Sequence, residues 1–189
     1  GEVREYKMEL KGYEGSPNAV LSVEDVKQIV LKEYPDAAFK AVKLDVDKET
    51  GLKEMDRILH TSTHYPANYG FIPRTYAADG DPLDVLVLCS EDLEPLSIVK
   101  CYPIGIIRMT DQDAIDDKII AIPFNDPNWN HYESLSQLPS HLSEEIEHFF
   151  KVYKTLEHKE TTILEILDRN EAEKVIEVAI NNYNLNFKK

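Results

Sequence analysis

Cysteine is nearly missing from this chain: Cys89 and Cys101 are the only two among 189 residues. They form no Cys-x-x-Cys pair, and a zinc cluster needs more ligands. A chain of this length buries a sizeable core without disulfides or a structural metal. Both cysteines fall in apolar stretches, VLVLCS and IVKCYP. They read as reduced core thiols, which fits a reducing compartment, and the expected location is the cytoplasm. Long apolar runs are also missing. None approaches the roughly 20 residues of a membrane span, and the opening residues GEVREYKMEL have no signal-peptide pattern, so no membrane is expected. Basic residues are outnumbered, with 21 Lys and Arg against 35 Asp and Glu and a formal net charge of −14. Nonspecific nucleic-acid binding needs a basic face, so nucleic acid is excluded as a partner. No Gly-rich nucleotide loop occurs.

Hydrophobic residues make up 42% of the chain, enough for one globular domain spanning 1–189. Residues 3–10 alternate as a strand does. In SVEDVKQIVLKEYP, Ser22 can cap and Val23, Val26, Ile29 and Val30 share a helical face until Pro35 ends it. The period then becomes two. Strands are expected at 38–46 and 52–59 around a DKETG turn, and at 84–89, 97–101, 104–109 and 118–122. Several short strands without intervening helices point to a small β-barrel. Helices are expected at 140–156 and 169–183. The fold class is α+β: an N-terminal strand and helix over 1–36, a barrel core over 37–125, and packed helices over 140–184.

The sharpest feature is Asp79-Gly80-Asp81-Pro82-Leu83-Asp84, followed at once by the strand VLVL. Gly80 permits an unusual backbone angle and Pro82 fixes one, so such a loop turns several carboxylates toward one point. Clustered carboxylates repel, and a hard divalent cation with oxygen ligands, such as Mg²⁺, relieves the repulsion. The spacing is not that of an EF-hand, which needs twelve residues and a closing Glu. A second acidic loop, Asp111 to Lys118, also joins two apolar strands. Two acidic loops facing one cavity suggest more than one metal, as phosphoryl transfer uses. Lys43, Arg57, Lys118 and Lys154 offer cations for phosphate oxygens, and Tyr65, Tyr69 and Tyr153 offer hydroxyl donors. Singly, each reads as a surface or packing residue. Together they describe a polyanion site bridged by metals.

These residues resemble the family I soluble inorganic pyrophosphatases. DGDPLDVLVL matches that family's Asp-x-Asp-Pro-hydrophobic-Asp signature before a strand. Asp56-Arg57, Tyr65-Pro-x-Asn-Tyr-Gly-Phe-Ile-Pro, Met109-Thr110-Asp111, Asp116-Asp117-Lys118 and Tyr153-Lys154 accompany it, over about 43–159. The resemblance implies a five-stranded barrel like an OB fold, a multi-Mg²⁺ hydrolysis of pyrophosphate to two orthophosphates, and a homo-oligomer, dimer or hexamer. Asp79, Asp84 and Asp116 would hold the first metal, with Asp84 shared by a second, and Asp111 and Asp116 the metal that arrives with substrate. Asp81 would take a proton from the attacking water held between two ions. Lys43, Arg57, Tyr69, Lys118, Tyr153 and Lys154 would bind the phosphoryl groups, and Tyr65 would line the site. Glu9 and Asp45 fall where the family places two N-terminal acids, and the stretch 22–34 is an addition to its pattern. The rival readings are a metal phosphoesterase acting on nucleotides and a non-catalytic barrel that binds divalent cations.

Overall fold

The computed structural model describes residues 42–46, 53–94 and 97–187. The expected strand at 3–10, the helix at 22–34, Glu9 and the DKETG turn lie outside them. Strands β1 (Val42–Val46) and β2 (Lys53–Ile58) form an antiparallel ribbon. In it Lys43 stands across from Arg57, and Asp45 across from Glu54.

A second, mixed sheet follows. It is built from β3 (Asn68–Phe71), β4 (Asp84–Val87), β5 (Cys101–Asp111), β6 (Ala114–Ile115), β7 (Lys118–Pro123) and, later in the chain, β8 (Thr161–Asp168). The pairing path runs β3-β4-β7-β5-β6, with β8 also paired to β5. β4 and β7 are parallel, with Asp84 beside Lys118 and Val87 beside Ala121. Helix α1 (Ser140–Val152) precedes β8, and helix α2 (Arg169–Phe187) follows it directly.

Alternation explains the layering. Leu86, Leu88, Ile120 and Ile122 turn one way, onto Ile146, Phe149 and Phe150 of α1 and onto Tyr153 just beyond it. Val85, Val87, Ile119 and Ala121 turn the other way, onto Ala172, Ala179, Val175 and Ile176 of α2. Each helix therefore covers one face, and β7 reads as an unbroken apolar run because both its faces are buried. Phe150 is 1% exposed, and truncating such a ring to Ala costs about 3–5 kcal/mol.

Two expectations are corrected. The strands expected at 97–101 and 104–109 are one strand, Cys101–Asp111, and residues 97–100 are not part of it. Pro103 interrupts the apolar pattern without ending the strand, because the register slips between Pro103 and Gly105. A bulge there tolerates a residue with no N–H to donate. The region 140–184, expected to hold helices, also holds β8, which pairs with β5 from Gly105↔Asp168 to Asp111↔Thr161.

Candidate active site

The face covered by α1 carries polar groups at one end. Asp84 and Lys118 are the first residues of the parallel strands β4 and β7, and their register sets them side by side. The Lys118 ammonium donates to Asp84 Oδ2 and to Asp116 Oδ1, each at 2.5 Å. Lys118 is 2% exposed. Burial alone would lower its pKa, but the Asp84 and Asp116 carboxylates outweigh that effect and raise it. The Tyr69 hydroxyl, on β3, donates to the same Asp84 oxygen at 2.5 Å. Burial first, then the Asp84 charge, pushes the Tyr69 phenol well above its ordinary value, so it stays a donor. Lys118 Nζ also lies 5.5 Å from the Tyr69 ring centre.

The loop before β4 is pinned at its base. Ile72 N–H donates to Leu83 O at 2.8 Å, and the buried Thr75 hydroxyl donates to Ile72 O at 2.6 Å while accepting from Leu83 N–H at 2.8 Å. At its tip Gly80 has φ +87°, a conformation that side chains disfavour. Asp81 N–H donates to Asp79 Oδ1 at 3.0 Å. Both Asp79 and Asp81 are exposed. Burial of part of the Asp79 carboxyl, together with the Asp116, Asp81 and Asp84 charges, raises its pKa against the lowering bond from Asp81. Asp79 therefore shares a field with the Asp84–Lys118–Asp116 group.

The second acidic loop is a tight hairpin. Gln112 and Asp113 take positive φ, 49° and 69°, as a two-residue turn of the primed type requires, and Asp111 pairs with Ala114. Asp116 N–H returns to Met109 O at 2.9 Å. The alternation then splits the pair Asp116-Asp117. Asp116 meets Lys118, while Asp117 lies 3.6 Å from Arg108 Nε. Asp111 is held by the ammonium of Lys154, the residue that follows α1 and Tyr153. A wall of rings joins the two groups. Tyr65 packs on Tyr69 and on Phe149, each with centroids 4.7 Å apart, and Phe149 stacks on Tyr153 at 5.2 Å.

Of the residues marked from sequence, Asp84, Asp116, Lys118, Tyr69, Tyr65, Asp79 and Asp81 fall in one neighbourhood. Asp111, Lys154 and Tyr153 form the adjoining group. Lys43, Arg57 and Asp45 are placed by backbone only, on the β1–β2 ribbon, and Glu9 lies outside the described residues. Sequence reasoning missed Thr75 and also Asp126, which accepts from Ser90 N–H at 2.7 Å, Ser90 Oγ at 3.0 Å and Asn128 N–H at 3.0 Å. The only signal for either is a small polar residue in a loop a few residues past a strand.

Among the described residues, no three acidic, histidine or cysteine side chains converge as a ready cage for a metal. The donor set nonetheless suits hard divalent cations. It consists of carboxylate oxygens, and the buried Asp111 Oδ1 takes no hydrogen bond. Lys118 and Lys154 sit against the carboxylates a cation would use, so amine and metal compete for the same oxygens.

A family model described as inorganic pyrophosphatase matches residues 30–184. The chain is 47% identical over 142 residues to soluble inorganic pyrophosphatase 2 of Chlamydomonas reinhardtii, covering 75% of this chain and 74% of that one. It is 43% identical over 148 residues to an inorganic pyrophosphatase of Aquifex pyrophilus, covering 77% of this chain and 81% of that one. The solved structure of an inorganic pyrophosphatase from Helicobacter pylori superposes with TM-score 0.74 at 38% identity, over 77% of this chain and 88% of that one. These likenesses carry the OB-like α+β class to the sheet and helices described above.

Proposed function

Since this chain belongs to the inorganic pyrophosphatase family and hydrolyses pyrophosphate to two orthophosphates, we propose that the carboxylates and lysines at the ends of β4, β5 and β7 carry out that reaction with Mg²⁺. The observation that carries this reading is the Lys118 bridge between Asp84 and Asp116 at 2.5 Å. Cation-holding and phosphate-holding groups are interleaved in one buried cluster, as a metal-bridged polyanion requires. The family is metal-dependent. Bound Mg²⁺ supplies neutralisation of the pyrophosphate charge and makes water at the site more acidic.

Asp79, Asp84, Asp111 and Asp116 hold the ions. Asp81 accepts a proton from the attacking water as its oxygen bonds to one phosphorus. The bridging P–O bond then breaks, and its electron pair leaves with the second phosphate. An ammonium has three donors. Two of those on Lys118 fix Asp84 and Asp116, and the third serves a phosphoryl oxygen. Lys154, Tyr69 and Tyr153 bind the same substrate, with Lys43 and Arg57 from the ribbon. Preorganised donors of this kind stabilise charge on the leaving oxygen without reorganising. Tyr65 orients Tyr69, and Asp45 and Glu9 support outer metal positions.

The enzyme works as a cytoplasmic homo-oligomer in which residues 1–189 form one domain. Among the described residues no helix is long and apolar enough to cross a membrane. A phosphate-release assay with pyrophosphate, ATP and an alkyl phosphate, with and without Mg²⁺, tests the reading. Release from pyrophosphate alone, and only with Mg²⁺, is expected. Equal release from ATP or an alkyl phosphate defeats it.

A further inference from the structure

Three residues before Asp79 the chain is tied to the far half of α2. Tyr76 N–H donates to Ala179 O at 2.9 Å, and the Asn182 side-chain amide donates to Tyr76 O at 3.4 Å. A helix carbonyl has a second lone pair and so can take a donor from outside the helix. Ala179 is 3% exposed, so this backbone contact is made in the interior. The Tyr76 ring meets the Phe187 ring edge-on with centroids 5.2 Å apart, and Tyr183 packs on Phe187 at 5.3 Å. At its other end, the Tyr76 hydroxyl lies 3.6 Å from where a Gly80 β-carbon would stand. One side chain thus reaches from the last turn of α2 to the glycine between Asp79 and Asp81. The intervening turn is braced within itself. Ala77 N–H donates to Asp81 O at 2.8 Å, Gly80 N–H to Ala77 O at 3.2 Å, and Asp81 N–H to Asp79 Oδ1 at 3.0 Å. A braced turn moves as a unit, so a shift of Tyr76 carries both carboxylates with it.

We infer that Tyr76 is a positioning residue through which the C-terminal helix sets the pose of the Asp79–Asp81 turn. The inference rests on the reading of Asp79 and Asp84 as metal ligands and of Asp81 as the base. Asp84 is fixed separately, by β4, Tyr69 and Lys118. Ala77 and Leu83 share an apolar cluster with Ala172 and Ala179 of α2, and Tyr76 adds the hydrogen-bonded tie between the loop and that helix. A displacement of about 1 Å at such a site costs up to a hundredfold in rate.

The test uses the full chain and two readouts. The first is calorimetric titration with Mg²⁺ in the absence of pyrophosphate. The second is kcat and KM for pyrophosphate at saturating Mg²⁺. The variants are Tyr76→Ala, Tyr76→Phe, Asn182→Ala and Phe187→Ala, with Asp79→Asn as the control on the site itself. Tyr76→Ala and Phe187→Ala are expected to weaken Mg²⁺ binding about fivefold or more and to lower kcat with KM unchanged. Tyr76→Phe keeps the ring contact with Phe187 but loses the hydroxyl beside Gly80, so it is expected to fall between wild type and Tyr76→Ala. Phe187 is 57% exposed, so its truncation leaves the core intact and carries the test if Tyr76→Ala fails to fold. Wild-type Mg²⁺ affinity in both Tyr76→Ala and Phe187→Ala, with only the melting temperature lowered, overturns the inference. So does wild-type Mg²⁺ affinity in Phe187→Ala beside full impairment of Tyr76→Phe, which would assign the effect to the hydroxyl and not to the helix. Unchanged Mg²⁺ affinity in Asp79→Asn overturns the reading of the site, and the inference with it.

Discussion

Lys118→Met should move metal binding and substrate binding in opposite directions. Methionine keeps the length of the side chain and removes its charge. In the native protein the two carboxylate oxygens of Asp84 and Asp116 each lie 2.5 Å from the ammonium. They therefore stand no more than about 5 Å apart. At an effective dielectric of roughly 20, two unit charges at that distance repel by about 3 kcal/mol. With the ammonium gone this repulsion is unscreened, and a divalent cation relieves it. Mg²⁺ or Mn²⁺ affinity should rise, by about tenfold or more. Pyrophosphate loses one charge-assisted hydrogen bond, so kcat/KM at saturating metal should fall roughly ten- to a hundredfold, for about 1.5–3 kcal/mol.

Stability follows the same sign. Without the ammonium the fold holds two facing carboxylates with no cation between them, so the metal-free variant should be less stable than the wild type. Added Mg²⁺ should restore the melting temperature more in the variant than in the wild type. Calorimetric metal titration, steady-state kinetics and thermal melts with and without Mg²⁺ measure all three. Metal affinity that weakens together with activity would show Lys118 to be a support of the metal site and not its competitor, and the reasoning would fail. Unchanged kinetics would remove Lys118 from the substrate site.

Asp81→Asn should keep the fold and Mg²⁺ binding but retain less than about a tenth of kcat, a barrier increase above roughly 1.4 kcal/mol, because an amide nitrogen accepts no proton; near-native turnover counts against Asp81 as the base. Gly105→Ala should destabilise by about 1–3 kcal/mol or more. Its β-carbon would stand 2.2 Å from Leu135 Cδ1 and 2.8 Å from the Leu167 carbonyl, which as backbone cannot swing away, and an unchanged thermal midpoint would contradict this. Cys101 should alkylate slowly. Burial, with a smaller push from Cys89, raises its thiol to about 11. Iodoacetamide at pH 8 should label it roughly a hundredfold or more slower than an unfolded control, so prompt labelling of the native protein by mass spectrometry would refute that environment.

How much of this was legible follows from which contacts are local. The Asp79–Asp84 loop and the Asp111–Lys118 loop were readable because their residue types, turn formers and flanking apolar strands are contiguous. Helices α1 and α2 were readable from period, and they were found close to where expected. β8 was not, because Thr161–Asp168 carries apolar and polar residues without clean alternation, and a register shift between Arg108 and Met109 lies opposite it. Its strand character comes from β5, whose paired residues lie 50 to 63 positions earlier. The division of one strand into two at Pro103 has the same origin, since a proline breaks a pattern but not a bulged ladder. The site shows the limit most plainly. Nothing local in Asp84 or Lys118 says that they touch, and only the parallel register of β4 against β7 makes them neighbours. Alternation does predict the split of Asp116 from Asp117. One turns to Lys118, and the other, its pKa raised chiefly by burial and held back by Arg108, turns to the far face. Tyr76 was illegible for a third reason. An aromatic in a loop reads as rim packing, and its role depends on the end of a helix a hundred residues later. The chemistry was therefore written in short segments of the chain, and the geometry that makes it a site was written in the pairing between them.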